Sequence, residues 1–252
     1  MIEISGLHKS FGNAPVLQGV NLTIKDSERV VIIGGSGCGK SVLLRHIAGL
    51  LKPERGSLKI DGQDVVPLSE RQLTPIRKKI GVLFQGSALF DSLDVFHNVA
   101  FSLLEQRTLS EADIRERVAE ILEVVGMSGQ ESKKPAELSG GMRKRIGLAR
   151  AVISRPKILL YDEPTTGLDP QIADSINHLI LKMSNNFNVT SIVVTHDMVS
   201  AYMVGNRIAM LHDGKILVSG APDEIQKNPN PIVQHFIHGV SEDRHLNSLR
   251  AL

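Results

Sequence analysis

Apolar and polar positions alternate at the start of the chain, with Ile2 and Ile4 and then Val20, Leu22 and Ile24 each separated by one polar neighbour. A period of two marks strands with one buried face, and the Lys25-Asp26-Ser27-Glu28 turn makes this an antiparallel piece. The pattern then changes. Arg29-Val30-Val31-Ile32-Ile33 is a continuous apolar run, as expected of a strand buried on both faces, and glycines and a helical pattern from Ser41 to Leu51 follow it. Gly56 to Ile60, with an Asp61-Gly62 turn, predicts a return to the antiparallel piece.

From about Ser87 to Val125 the periodicity is helical. A start signal at Leu109-Ser110-Glu111-Ala112-Asp113 precedes Ile114, Val118, Ile121 and Leu122 on one face. A helix is expected from Leu138 to about Ile153. Beyond it, Ile158-Leu159-Leu160-Tyr161 and Ser191-Ile192-Val193-Val194 read as short buried strands separated by a helix. Asn206 to Ser219 predicts a hairpin turning at Asp213-Gly214, and the chain from Pro222 onward is helical and increasingly polar. The fold class is therefore α/β: a mainly parallel core with an antiparallel β-subdomain and a helical insertion. We expect one unit over residues 1–240, with its helical subdomain at about 87–153, and a C-terminal tail at 241–252.

Composition narrows the function classes. The chain has 252 residues, enough for a substantial core, and 29 Lys+Arg against 27 Asp+Glu give a formal charge of +2, which points to neither nucleic acid nor an anionic lipid surface. One cysteine, Cys38, excludes an internal disulfide framework and fits a reducing compartment. No apolar run reaches the roughly 18 residues needed to cross a bilayer, and the N-terminus lacks a secretion signal, so any membrane role comes through a partner. Without such a signal, the glycosylation-like triplets at Asn21 and Asn188 are read as chance matches.

Gly34-Gly35-Ser36-Gly37-Cys38-Gly39-Lys40-Ser41 matches G-x-x-x-x-G-K-[ST] between the buried strand and a helix. Glycines let successive N–H groups point at phosphate oxygens, and the helix N-terminus adds partial positive charge. Lys40 reaches the β- and γ-phosphates and Ser41 supplies a Mg2+ ligand. The motif resembles that of the P-loop NTPases, which implies a RecA-like core. The apolar strand before Asp162-Glu163 places Asp162 near Mg2+ and Glu163 toward an attacking water. With no Asn-Lys-x-Asp guanine-reading sequence, ATP is favoured over GTP. Cys38, beside a helix N-terminus, is expected to have a lowered thiol pKa, so that alkylation blocks turnover and ATP protects. His235 and His238 could share a helical face, but no third metal ligand lies nearby in sequence.

Leu138-Ser139-Gly140-Gly141-Met142 resembles the signature motif of the ABC transporter ATPases, and that family's other motifs fall in order along nearly the whole chain. The resemblance implies that Gln85 senses Mg2+ and the attacking water, that Gly167-Leu168-Asp169 is the D-loop, that His196 is the switch histidine stabilising the γ-phosphate, and that Phe11 stacks on adenine. Gly35, Ser36, Gly37, Cys38, Gly39, Lys40 and Ser41 would hold one ATP. Ser139, Gly140, Gly141 and Asp169 would serve the ATP of a second copy in a head-to-tail homodimer. Metal contacts would come from Ser41, Gln85 and Asp162, and catalysis from Glu163, His196, Gln85 and Lys40. Residues Gly86 to Val99 would meet a membrane permease.

Met142 stands where glutamine is usual. That residue, the run Met142-Arg143-Lys144-Arg145, Phe84 to Phe90, and Val233 to Gly239 resemble the Mla-type ATPases. The resemblance implies phospholipid transport with a permease and an MCE-domain lipid-binding protein, peripheral on the cytoplasmic face of the inner membrane, without nucleic acid. A small regulatory protein at the C-terminal tail is a further expectation. The alternatives are a polar amino-acid or other small-solute importer, in which Arg143 to Arg145 is simply a solvated helix face, and a soluble ABC ATPase of ribosomes or DNA.

Overall fold

A computed structural model describes residues 1–240; the expected tail 241–252 lies outside the described residues. In chain order the elements are β1 (Ile2–Phe11), β2 (Ala14–Ile24), β3 (Arg29–Ile33), α1 (Lys40–Ile47), β4 (Arg55–Ile60), β5 (Gln63–Asp64), α2 (Glu70–Arg77) and β6 (Ile80–Leu83). They continue with α3 (Val95–Gln106), α4 (Glu111–Val124), a 3-10 turn (Pro135–Glu137), α5 (Gly140–Val152), β7 (Ile158–Asp162), α6 (Pro170–Phe187) and β8 (Thr190–Val194). The last are α7 (Met198–Val204), β9 (Arg207–His212), β10 (Lys215–Gly220), α8 (Pro222–Gln226) and α9 (Pro231–Ile237).

Two sheets organise these elements. One is antiparallel, in the order β2-β1-β4-β5, and the other is ordered β10-β9-β3-β8-β7-β6. In the second sheet every neighbouring pair is parallel except β9 with β10. The expected α/β class is therefore met. In β3 the pleat sends Val30 and Ile32 to one core and Val31 and Ile33 to the other. The first core also takes Leu43, Leu44 and Ile47 of α1 and the inner face of the antiparallel sheet. The second takes the inner faces of α3 to α6. A strand covered on both sides has no use for polar residues, which explains the uninterrupted apolar run.

The Asp213-Gly214 turn has φ 46° and 70°, as a two-residue hairpin requires. Its backbone also ties the sheets together, for Gly214 O accepts from Gln18 N at 2.8 Å and Asp213 O from Gln18 Nε2 at 3.1 Å. Asn21 serves the antiparallel sheet by accepting from Gly6 N at 2.8 Å, and Asn188 ends α6 in the left-handed conformation, φ 48°.

Helix α2 is an element that the hydrophobic pattern does not announce. It carries Pro75, which leaves the Arg71 carbonyl without its helical donor; both residues are exposed, so water can take that bond. Leu73 and Ile76 anchor its other face.

Strand β6 lies so close to α5 that a Cβ on Gly81 would stand 2.1 Å from Ala151 O and 2.7 Å from Leu159 Cδ2. The Leu159 side chain could turn aside, but the Ala151 carbonyl is helix backbone and cannot. We expect Gly81→Ala to destabilise the protein by about 1–3 kcal/mol, read from denaturant midpoints, as overpacked cores do. An unchanged midpoint would contradict the packing described.

Candidate functional site

The carboxyl ends of β3, β7 and β8 meet at one edge of the parallel sheet because β8 pairs with both β3 and β7 in the same direction. A cavity of about 790 Å3 opens there. Its floor is the loop from Gly35 to Ser41, its rim carries Phe11 and Val16, and Gln85, Glu163 and His196 stand on the wall.

The loop is built around Lys40. Its Nζ donates to Gly34 O at 2.8 Å and Gly35 O at 3.0 Å, which closes the loop into a ring of backbone around a buried ammonium. Gly39 precedes α1 with φ 105°, a conformation open to glycine, and offers no side-chain cap. The N–H groups of the first turn of α1 are thus left to an anion rather than to a capping side chain. Across 121 residues of sequence, Ser41 Oγ donates to Asp162 Oδ1 at 2.7 Å. This bond puts two oxygen donors side by side, a set suited to a hard divalent cation such as Mg2+.

Glu163 is 8 % exposed and lies in the left-handed region at φ 49°, just before Pro164. Both facts oppose the preferred backbone, since a non-glycine residue pays for positive φ and a residue before proline prefers an extended conformation. Tertiary bonds hold it. Glu163 N donates to Val194 O at 2.9 Å, Thr166 Oγ1 donates to Oε2 at 2.9 Å, and His196 Nδ1 lies 3.0 Å from both carboxylate oxygens. Thr195 Oγ1 donates to Oε2 at 3.4 Å. His196 is itself positioned by the start of α7, where Asp197 caps Val199 N and Ser200 N.

Ser139, Gly140, Gly141 and Asp169 do not line this cavity. They form a second cluster. Ser139 caps α5, Asp169 caps α6, and the α carbons of Gly140 and Gly141 face Leu168 and Ile172. Ser139, Gly140 and Asp169 are exposed.

Cys38 departs from expectation. Its side chain lines a separate recess with Pro15, Val16, Gln18 and the Asp213-Gly214 turn, and burial pushes the thiol pKa up, outweighing the pull of Lys40. The proximity of a helix N-terminus does not overcome desolvation. Cys38 is thus part of the Gly35-to-Ser41 loop in sequence but does not line the main cavity.

Sequence reasoning missed several participants. Lys144 is not on a solvated face: it is 5 % exposed, and its Nζ donates to the backbone carbonyls of Gln85 and, at 3.2 Å, Glu163. Burial lowers its pKa, while Asp162 and Glu163 oppose that shift. Its neighbours are also engaged, Arg143 with Leu138 O and Arg145 with Val125 O and Ser175 Oγ. Helical spacing carried the signal, because Gly141, Lys144, Leu148 and Ala151 share the buried face of α5. His235, Phe236, Gly239 and Val240 complete the cavity wall, and nothing in their local pattern pointed there.

The model of the "ABC transporter" family matches residues 17–166, more than half of the chain. Over 238 residues the chain is 43% identical to the "Probable ribonucleotide transport ATP-binding protein mkl" of Mycobacterium tuberculosis, covering 94% of this chain but 66% of that protein's length. It is 38% identical over 242 residues to the "Intermembrane phospholipid transport system ATP-binding protein MlaF" of Haemophilus influenzae, covering 96% of this chain and 92% of that one. The dimeric ATP-binding cassette MJ0796, solved in a post-hydrolysis state with ADP and Pi, superposes with a TM-score of 0.82 at 35% identity, over 88% of this chain and 99% of that one. With its glycine-rich loop, its acidic strand end and its histidine gathered at one cavity on a P-loop NTPase fold, the chain belongs to the ABC transporter family.

Proposed function

We propose that this chain is the ATP-hydrolysing subunit of a transporter that moves phospholipid between membranes. The observation that carries the ATPase reading is the meeting of Lys40, Ser41, Asp162, Glu163 and His196 at one cavity. Of the two curated relatives named above, the phospholipid-system ATPase is spanned over 92% of its length and the ribonucleotide-transport protein over 66%, and the fuller match supports the lipid reading.

Phe11 offers an exposed ring at the rim for the adenine, and Lys40 exchanges its loop carbonyls for β- and γ-phosphate oxygens. Ser41, Asp162 and Gln85 are the residues that would hold Mg2+, and the adjacent Ser41 and Asp162 oxygens fit it. Bound there, the ion would neutralise charge on the phosphate oxygens. Glu163 orients the attacking water and takes its proton, while His196 steadies the Glu163 carboxylate and faces the γ-phosphate. Ser139, Gly140, Gly141 and Asp169, lying apart from the cavity, serve the nucleotide of a second copy in a head-to-tail homodimer, which makes each site a product of two chains.

We read residues 1–240 as one ATPase unit with a helical subdomain at about 87–153, and place the permease contact at Gly86 to Val99. Support comes from Phe90 and Phe101, exposed and with ring centroids 4.7 Å apart in that region. Among the described residues no helix is long and apolar enough to cross a membrane. The chain then works peripherally, on the cytoplasmic face of the inner membrane, beside a permease and an MCE-domain protein. A regulatory protein at the tail would bind outside the described residues.

Gentle detergent capture of Glu163→Gln with ATP from the native membrane tests the cargo. A multi-span permease with a lipid-binding MCE-domain protein and phospholipid is the expected set; a periplasmic solute-binding protein in its place would move the function to solute import. Glu163→Gln itself should bind ATP normally and lose turnover by about 10²–10⁴-fold, the usual contribution of a general base. Lys40→Ala should weaken ATP binding by more than about tenfold, since a charge-assisted hydrogen bond is worth roughly 1.5–3 kcal/mol. Full turnover by Glu163→Gln would refute the assignment.

Because burial favours the neutral thiol, Cys38 has little thiolate at neutral pH. Iodoacetamide should modify it more slowly at pH 7 than an unstructured cysteine peptide, with the rate climbing above pH 9. Fast labelling at pH 7, followed by mass spectrometry, would show that the thiol is more exposed than described.

A further inference from the structure

We propose that Lys144 is a positioning residue that ties the water-activating end of a protomer's own site to its own signature helix. The inference rests on the ATPase reading above and deepens it.

Three observations converge on this side chain. Lys144 lies on α5 one turn after Gly141, so its backbone moves with the signature residues at the start of that helix. Its buried ammonium donates to two carbonyls from different parts of the site, that of Gln85 after β6 and that of Glu163 after β7. Glu163 is also the residue held at φ 49° before Pro164. That backbone is costly, and it persists where surrounding bonds over-determine it. The N–H of Glu163 is held by Val194 of β8, and its carbonyl is held by Lys144.

The same helix grips the loop after β6 a second time. Arg150, also on α5, donates to Ser87 O and Ala88 O, both at 2.7 Å, and Ser87 and Ala88 have φ of 62° and 47°. Helix α5 therefore holds Gln85 through Lys144 and the following turn through Arg150. A rigid helix with its N-terminus at the signature loop and its side chains on Gln85 and Glu163 transmits displacement from one to the other. When a second copy's ATP engages Ser139 to Gly141, the pull reaches the carbonyl of Glu163 through one ammonium. A neutral side chain of the same length fills the space and transmits nothing.

The test compares full-length Lys144→Met and Lys144→Arg with the wild-type chain. In Lys144→Met, binding of a fluorescent ATP analogue and ATP-driven dimerisation by sedimentation should stay within about twofold of wild type. Turnover should fall about ten- to a hundredfold at unchanged KM, as for a displaced catalytic group. Lys144→Arg, which keeps charge and donors, should recover turnover to within about threefold. Two outcomes overturn the proposal: wild-type turnover in Lys144→Met, or turnover and dimerisation falling together, which marks a purely structural role. If Lys144→Met does not fold, Lys144→Leu, which also removes the donor, is read by the same measurements, and failure of both to fold equally overturns it. A wild-type chain without ATPase activity would instead refute the underlying reading.

Discussion

The hydrogen bond from Ser41 to Asp162 depends on strand order more than on either residue. Those residues are 121 positions apart, and they meet because β3 and β7 both flank β8, in parallel, with registers that bring Ile32 opposite Val194 and Asp162 opposite Val194. Three consecutive strands of the sheet thus deliver the phosphate loop, the acid pair and His196 to the same edge. This is where open parallel sheets generally hold ligands, at the carboxyl ends of strands. A slip of one residue in β7 would turn Asp162 to the other face of the sheet and take its carboxylate away from Ser41.

The site concentrates cost at that edge. Lys40, Lys144, Asp162 and Glu163 are all under a tenth exposed, and Glu163 adds a backbone strain of about 1–3 kcal/mol. Buried ion pairs return at best a modest net stabilisation, so the charges are not there to hold the fold together. Burial of Val30 to Ile33, Leu159 to Tyr161 and Ile192 to Val194, packed on both faces, supplies the driving force that the charged edge consumes. The arrangement also accounts for the sharp change in β7 from four apolar residues to two acids. Its interior belongs to the core, and its last residue is where the core ends.

Most of this architecture was legible. Period-two alternation gave β1 and β2, apolar runs gave β3, β7 and β8, and Asp213-Gly214 gave the terminal hairpin, because each follows from local burial alone. Helix α2 was missed because Pro75 argues against a helix, although the Ser69-to-Gln72 capping box is a local start signal that packing of Leu73 and Ile76 then reinforces. The phosphate loop and acid pair could be read because backbone geometry and ion chemistry dictate their residue types. Cys38 misled because sequence shows the nearby helix terminus but not the partial burial of the side chain beside the Asp213-Gly214 turn. Lys144 misled for the opposite reason: a cation in a basic run looks solvated until the helical face it shares with Gly141 and Leu148 is counted. His235 and Phe236 reach the cavity from beyond the matched family segment, through packing that no local pattern encodes.

The signature glycines show how one residue type can answer two demands. A Cβ on Gly141 would stand 2.7 Å from Ile172 Cγ2, so the start of α5 can approach α6 this closely only with glycine there. That is a packing requirement, and it would exist without any nucleotide. Gly140 is different. It is exposed, and its nearest neighbour to a Cβ is Leu168 Cδ2 at an ordinary 3.6 Å, so packing alone would tolerate alanine. What remains is the backbone: the N–H of Gly140 lies in the first turn of α5, ahead of any intrahelical acceptor, beside the Ser139 hydroxyl. Its bareness therefore matters to whatever approaches from outside the chain. In the proposed dimer that visitor is the γ-phosphate held by the other copy's Lys40, and Gly141 sets the helix at the height from which Gly140 and Ser139 can meet it.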